Sequence, residues 1–225
     1  MFFGFNSCKP TDRFVNFSLF KVYGLFMSNS RDSEATRRHL LEVSAEEMRL
    51  HGFKAASLSK ILEKAEVSKG ALYHHFANKQ ALGYAVFDEI YAEEYLTHWR
   101  NALSHPDMVE GIRLMIEGFE EHCSIDDIMQ GCPVNSLSQE MSATDEGFQQ
   151  CTSNMYKTHC DFLMTAIEKG IENKQLKADL PIEQTAWFII SSFQGIGSIV
   201  KSCRSSEQMY RLHGAFIEYL RSLKA

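Results

Sequence analysis

The segment 57–79 decides the fold, and it reads SLSKILEKAEVSKGALYHHFANK. Ser57 has the side chain of a helix N-cap, and the apolar residues after it recur with helical spacing at Leu58, Ile61, Leu62 and Ala65. Glu66 and Val67 form a tight turn, and Ser68 caps the next helix, which buries Leu72 and Phe76. Asn78 caps a further helix that begins at Lys79. The pattern predicts two short helices joined by a short turn, which is a helix-turn-helix.

The second of these helices has the side chains that a major groove can accept. The groove is about 12 Å wide, so a helix that enters it must present small and polar residues at its start. Lys69, Gly70 and Ala71 supply one cation and two very small residues. The polar rings of Tyr73, His74 and His75 follow. Lys79 is a cation at the start of the next helix, where its ammonium and the free backbone N–H groups can both meet a phosphate.

A longer helix precedes this segment. From Ser33, small and apolar residues occupy one face at Leu40, Ser44 and Met48. Gly52 ends the helix as a residue of left-handed conformation, and Phe53 folds back onto the apolar face. We therefore expect a compact module of three helices within residues 27–80, followed by a helical body over residues 81–225.

These residues together resemble the DNA-binding domain of the tetracycline-repressor family of bacterial regulators. The resemblance covers Leu40 to about Val86, and the Tyr-x-His-Phe-x-x-Lys segment from Tyr73 to Lys79 carries most of it. Ser44 departs from the alanine usual in the family, and it is also small. The resemblance implies a set of DNA-binding residues: Tyr73, His75 and Lys79 at phosphates, Lys69, Gly70 and His74 at base edges, Ser57 at the backbone, with Ser68 and Ala71 beside them.

The charge distribution agrees with a DNA-binding module. The 225 residues carry a formal net charge of −6, which by itself argues against nucleic acid. Residues 28–80 nevertheless have a net charge of +2, and residues 81–225 have −10. Such a weakly basic module would depend on a dimer to double its contacts with DNA.

Residues 81–225 read as long helices, so the predicted fold class is all-α. The segment 185–200 is apolar nearly all round, which requires cover on several sides. By resemblance, the last two helices pair with those of a second copy, and a homodimer binds a near-palindromic double-stranded DNA operator. Burial within one protomer is the alternative. The resemblance also implies a pocket for a small hydrophobic or electrophilic effector, with candidate lining residues Trp99, Met115, Phe119, Phe162, Phe188 and Phe193.

Cys132 precedes a short helix that is predicted to begin at Pro133. A helix N-terminus lowers the pKa of a thiol and favours the thiolate. The Gly131-Cys132 pair, and the later Gly-(x)5-Lys-x-x-Arg-Ser pattern that contains Lys201, are similar to the electrophile-sensing branch typified by the N-ethylmaleimide repressor. That resemblance implies a thiol sensor at Cys132 in which Lys201 lowers the pKa further. The alternative is an inert Cys132 that packs the loop.

Several further expectations complete the prediction. Residues 1–26 are expected to be a non-native or disordered extension, with translation starting at Met27. We expect no cofactor, no metal site, no membrane contact and a cytoplasmic location, with free thiols. Two alternatives to a transcriptional regulator remain. One is a helical protein-interaction module, and the other is a thiol-dependent enzyme that uses Cys132 with His122 as base; the chain lacks the phosphate-loop and hydrolase motifs that would favour an enzyme.

Overall fold

The computed structural model describes residues 29–122 and 130–225, and within them the fold is all-α, as predicted. The predicted extension 1–26, the loop 123–129 and the side chain of His122 lie outside the described residues. The helices are α1 (Asn29–Ala55), α2 (Leu58–Ala65), α3 (Lys69–His75), α4 (Lys79–Val86), a π-helical segment (Phe87–Ala92), α5 (Glu93–Leu103), α6 (Met108–His122), α7 (Pro133–Met141), α8 (Glu146–Glu172), α9 (Ile182–Cys203) and α10 (Ser206–Ser222).

The helix starts predicted from capping residues are confirmed. The hydroxyl of Ser57 accepts from the N–H of Lys60, at 3.4 Å, and that of Ser68 accepts from Ala71, at 3.1 Å. The side chain of Asn78 accepts from the first turn of α4 at 2.8 Å. Each cap satisfies a backbone donor that the helix itself leaves unpaired, and this local chemistry fixes where α2, α3 and α4 begin.

Gly52 breaks α1 near its end, as the sequence predicts. Its φ of 77° lies in the region that favours glycine, and the chain is helical again from Phe53 to Ala55. The Phe53 ring is buried and lies edge-on to Phe148 of α8, with ring centroids 4.8 Å apart. The DNA-binding module therefore shares its apolar core with the body.

The helix that begins at Lys79 crosses the predicted domain boundary at 80 without a break. It continues as α4, the π-helical segment and α5 as far as Leu103. Arg37 of α1 holds this segment through both oxygens of Glu89, at 2.7 and 2.5 Å, and Tyr91 donates to the carbonyl of Ala45. The boundary between the two domains stays a prediction.

The body packs its long helices around a buried core. Helix α8 contacts α9 and α5, while α9 also contacts α10, and α7 lies between α1 and α9. In the described ranges, none of the helices combines the length and apolar character needed to cross a membrane.

Candidate nucleic-acid interface

The turn between α2 and α3 gives the helix-turn-helix its angle. Glu66 adopts the left-handed conformation, with φ 55°, and its N–H bonds the carbonyl of Glu63 at 3.2 Å. The N–H of Val67 reaches the carbonyl of Leu62 at the same distance. These bonds close α2, and Ser68 then opens α3, so three residues separate the two helices.

Helix α3 exposes the residues that the sequence assigns to DNA. Leu72 and the following Phe76 are buried against the module. The opposite face is exposed and includes Ser68, Lys69, Gly70, Tyr73 and His74, whereas Ala71 and His75 are half-buried. The structure thus brings the predicted base-edge residues onto one exposed surface, which we call the α3 face. Their contacts with bases and phosphates stay predictions.

Gly70 is not required by the packing of the module. A Cβ at this position would meet only the hydroxyl of Ser68 within 4 Å, at 3.8 Å, and the backbone is helical. Beside it, the ammonium of Lys69 lies 5.8 Å from the centre of the Tyr73 ring. The small size of Gly70 therefore leaves space for a molecule that approaches the start of α3.

The surroundings of His75 favour the neutral form of its imidazole. Burial lowers the pKa of its imidazole, and the neighbouring His74 and Arg37 lower it further. The guanidinium of Arg37 lies 5.3 Å from the centre of the Phe76 ring while it also binds Glu89. Sequence reasoning missed Arg37, because nothing in the helical pattern of α1 distinguishes it from an exposed charge.

Lys79 begins the helix capped by Asn78, as predicted, and its ammonium is bonded within the module. Its ammonium donates to the carbonyls of Lys54 and Ala56, at 3.1 and 2.7 Å, and lies 4.9 Å from the centre of the Phe53 ring. Burial lowers its pKa. Two of its three N–H donors thus hold the α1–α2 connection, and the contact of the Lys79 ammonium with a phosphate stays a prediction. Backbone N–H groups at the start of α4 remain for that role.

The six predicted effector-pocket residues lie in different surroundings within the body. Trp99 is buried in the core, where its ring packs against His159, at 4.2 Å between centroids, and Phe193, at 5.2 Å. Phe188 is 51% exposed and stacks edge-on with Tyr219 of α10. Trp99 and Phe193, which are both candidates, are thus in contact, whereas Phe188 faces outward, and a shared effector lining stays a prediction.

The remaining candidates are Phe119, Phe162 and Met115. Phe119 packs against His98 at 5.1 Å, and Phe162 lies beneath the guanidinium of Arg100, at 5.4 Å. Met115 is half-buried and packs against the hydrophobic core. The clefts of about 280 and 210 Å³ in the described part of the molecule are lined by other residues than these six.

A buried polar cluster lies beside Trp99. The Tyr95 hydroxyl is 3.0 Å from Nδ1 of His159 and accepts from the side-chain amide of Gln194, also at 3.0 Å. His159 Nε2 and Gln194 Oε1 are buried without a hydrogen-bond partner among the described residues. Burial lowers the pKa of His159 to about 3, so the ring is neutral at pH 7.

Cys132 caps α7, yet its thiol is not activated. Burial raises the pKa of the Cys132 thiol and outweighs the opposing effect of the N–H groups of Asn135 and Val134. The ammonium of Lys201 donates instead to the hydroxyl of Ser136, at 2.7 Å. The expectation that the helix start and Lys201 lower this pKa is therefore wrong, because desolvation dominates.

The side chain of Lys201 lies against Gly131, the residue that precedes Cys132. Gly131 has φ 74°, and a Cβ there would lie 3.1 Å from Cδ of Lys201. The side chain of Lys201 thus crosses the residue before Cys132. It also lines the 280 Å³ cleft between α1 and α7, together with Arg49, His51, Gln130 and Glu140. Gly131 and Lys201 are thus in contact, and Cys132 as a whole residue is half-buried while its thiol is desolvated.

Comparison with known proteins agrees with this arrangement. Two family models match: "Bacterial regulatory proteins, tetR family" over residues 40–86, and "Tetracyclin repressor-like, C-terminal domain" over residues 109–216. The first covers the helix-turn-helix with α4, and the second covers most of the body.

Individual relatives are similar to this chain over most of its length. The HTH-type transcriptional repressor NemR of Escherichia coli is 28% identical over 80% of this chain and 92% of its own length. The HTH-type transcriptional repressor DhaR of Mycobacterium sp. is 25% identical over 77% and 86%. The crystal structure of the reduced form of E. coli NemR superposes with a TM-score of 0.72 at 26% identity, over 84% of this chain and 97% of that one.

Proposed function

The chain belongs to the tetracycline-repressor family of DNA-binding transcriptional regulators, and on that premise we propose that it represses transcription by binding a near-palindromic operator as a homodimer. The single observation that supports this most is the α3 face, where Lys69, Gly70, Tyr73 and His74 are exposed together. Phosphate contacts would position the module, while base edges would be met at the start of α3. We expect no catalytic activity and a cytoplasmic site of action.

The proposed dimer uses α9 and α10. Large apolar side chains stand exposed on these two helices: Trp187, Phe188, Ile199 and Tyr210. Apolar surface of this kind on neighbouring helices favours association, and a two-fold dimer would present two α3 helices to the two halves of an operator. The acidic body would then lie away from the phosphates.

We further propose that a small hydrophobic or electrophilic effector releases the repressor from DNA, with Cys132 and Lys201 as the responsive pair. An activated alkene such as N-ethylmaleimide would add the Cys132 sulfur at one alkene carbon and the thiol proton at the other, with no leaving group. The position of Cys132 at the start of α7, next to the residue that Lys201 crosses, supports this role. Its raised pKa implies a slow reaction with the electrophile.

DNA binding is tested by gel shift on the DNA upstream of the chain's own gene. Lys69→Ala and Tyr73→Ala should each lose roughly 1 to 3 kcal/mol of binding free energy, as expected for a base or strong phosphate contact. Lys157→Ala removes the same charge from an exposed site on α8 and serves as the matched control. Unchanged affinity in both α3 variants would exclude this interface.

Effector release is tested on the same DNA with N-ethylmaleimide. The wild-type complex should dissociate on treatment, and Cys132→Ser should remain bound. Cys203→Ser, which removes an exposed thiol at the end of α9, is the control and should respond like wild type. If Cys132→Ser were released at the wild-type dose, the thiol would have no role in sensing.

A further inference from the structure

Glu140 of α7 binds the backbone of the DNA-binding module. Its carboxylate accepts the N–H of Phe53 and the N–H of Lys54, each at 2.8 Å. These two donors follow the break in α1 and belong to the short stretch that leads into α2. Hydrogen bonds to a charged acceptor are stronger than neutral ones, so one side chain of the body holds the α1–α2 connection at two points.

The backbone at Gly52 is shaped to admit this carboxylate. A Cβ on Gly52 would lie 2.7 Å from Oε2 of Glu140, which is closer than such atoms approach. The carboxylate therefore occupies the space that a side chain would take. The φ of 77° at Gly52 turns the following N–H groups toward it. Gly52 and Glu140 form one arrangement, although 88 positions separate them in the sequence.

The other end of α7 is attached to α9. Asn135 donates through its side-chain amide to the carbonyl of Gln194, at 3.0 Å, and to the hydroxyl of Ser198, at 2.7 Å. Ser136 accepts from Lys201 of α9. Helix α7 thus joins α9, which carries part of the exposed apolar surface, to the connection that precedes α2.

Among the described residues, the other side-chain hydrogen bonds between α1 and the body act before the break. Arg37 binds Glu89, and Tyr91 binds the carbonyl of Ala45, so both grip the regular part of α1. Lys79 holds Lys54 and Ala56 from within the module. Glu140 differs because it forms hydrogen bonds from the body beyond the break, on the side of α2 and α3, where the Phe148 ring also packs against Phe53.

We infer that Glu140 is a positioning residue that fixes α2 and α3 relative to the body, and thereby sets the spacing of operator half-sites that the dimer accepts. The inference rests on the proposed function. In a two-fold dimer, the interface would fix the position of α9. Because α7 is bonded both to α9 and to the α1–α2 connection, it would fix the position of each α3 relative to that interface. One extra base pair moves a half-site by about 3.4 Å and rotates it by about 35°. A rigid connection would reject that change, and a loosened one would tolerate it.

The test measures affinity for three DNAs by fluorescence anisotropy, using the full-length protein and the operator selected by it. The DNAs contain the selected operator, the same half-sites separated by one additional base pair, and a single half-site. Glu140→Ala removes both acceptor oxygens, whereas Glu140→Gln keeps one acceptor oxygen and replaces the other with an NH2 group. Glu168→Ala removes an equal charge from an exposed position on α8 and is the matched control. Circular dichroism checks that each variant is folded.

Wild type and Glu168→Ala should prefer the selected spacing by about tenfold or more, the scale of 1.4 kcal/mol in positioning energy. In Glu140→Ala the preference should fall to about threefold or less while single half-site affinity is retained, with Glu140→Gln between them. If Glu140→Ala does not fold, Glu140→Gln alone decides. An equal loss on all three DNAs, or an unchanged preference, would overturn the inference. Wild-type protein that binds no DNA would overturn the proposed function first, and the inference with it.

Discussion

The ammonium of Lys79 bonds the carbonyl of Ala56 at 2.7 Å, across 23 positions of sequence. The same ammonium reaches Lys54 and covers the buried ring of Phe53. A cation at the start of α4 thus closes the connection between α1 and α2. It acts on the shape of the DNA-binding module as well as on its charge.

Replacing Lys79 should therefore reduce stability. Lys79→Met keeps most of the apolar stem and removes the donors to two carbonyls, which should cost about 1 to 3 kcal/mol of unfolding free energy. Lys69→Met on the exposed start of α3 should leave unfolding unchanged and reduce DNA affinity. Urea unfolding followed by circular dichroism measures the first effect. Equal stability of both variants would show that the Lys79 bonds contribute nothing.

Gly70 should tolerate a side chain in the free protein and not on DNA. Because a Cβ there meets only Ser68 Oγ at 3.8 Å, Gly70→Leu should match or exceed wild-type stability by up to about 1 kcal/mol. A side chain that fills the approach to the groove should weaken operator binding by about 1 to 3 kcal/mol. In operator affinity, Gly70→Ala should lie between wild type and Gly70→Leu. Fluorescence anisotropy measures the DNA affinity of each variant, and thermal unfolding measures its stability. Full operator affinity in Gly70→Leu would place DNA elsewhere.

His159 should make the body sensitive to acid. Its pKa of about 3 in the folded protein lies below the ordinary 6.5, so the unfolded chain binds the proton more readily between these values. Stability contributed by the neutral ring is complete above about pH 6.5 and falls as the pH decreases toward 3, by up to about 1.4 kcal/mol per pH unit.

The comparison is between wild type and His159→Phe, which removes the titrating group and the buried Nε2. Urea unfolding at pH 7, 6 and 5 should show a steeper loss in wild type than in the variant. His74→Phe, at an exposed position, controls for the added ring. Parallel pH profiles for wild type and His159→Phe would contradict the buried neutral state.

The exposed apolar surface on α9 and α10 should control assembly. Ile199 is 45% exposed on α9, and Leu114 is 46% exposed on α6. Ile199→Asp places a charge in the proposed interface and should shift the protein to monomer, whereas Leu114→Asp should not. Sedimentation equilibrium reports the state of each. A monomeric Leu114→Asp variant with a dimeric Ile199→Asp variant would move the interface to α6.

Local chemistry explains why much of the fold was predictable. The caps at Ser57, Ser68 and Asn78, and the break at Gly52, depend on residues within a few positions, so the sequence displays them directly. The exposed start of α3 follows from the same pattern, because burying Leu72 turns the opposite side outward.

The remaining features depend on distant contacts. Glu140 lies 87 positions from the N–H of Phe53 that it binds, and no periodicity reports such a pair. The pKa of Cys132 follows burial by packed helices, which overrides the local effect of the helix start. The surroundings of the effector candidates could not be predicted for the same reason: helix orientation, which buries Trp99 and exposes Phe188, is a tertiary property.

The π-helical segment Phe87–Ala92 has a consequence for protein engineering. It lies inside one continuous helix that runs from the DNA-binding module into the body. Each residue of the α-helical parts on either side advances the axis by about 1.5 Å and turns it by about 100°. A chimera that joins this body to the DNA-binding module of a relative must therefore conserve the residue count across the segment, since one deletion would rotate the two parts out of register.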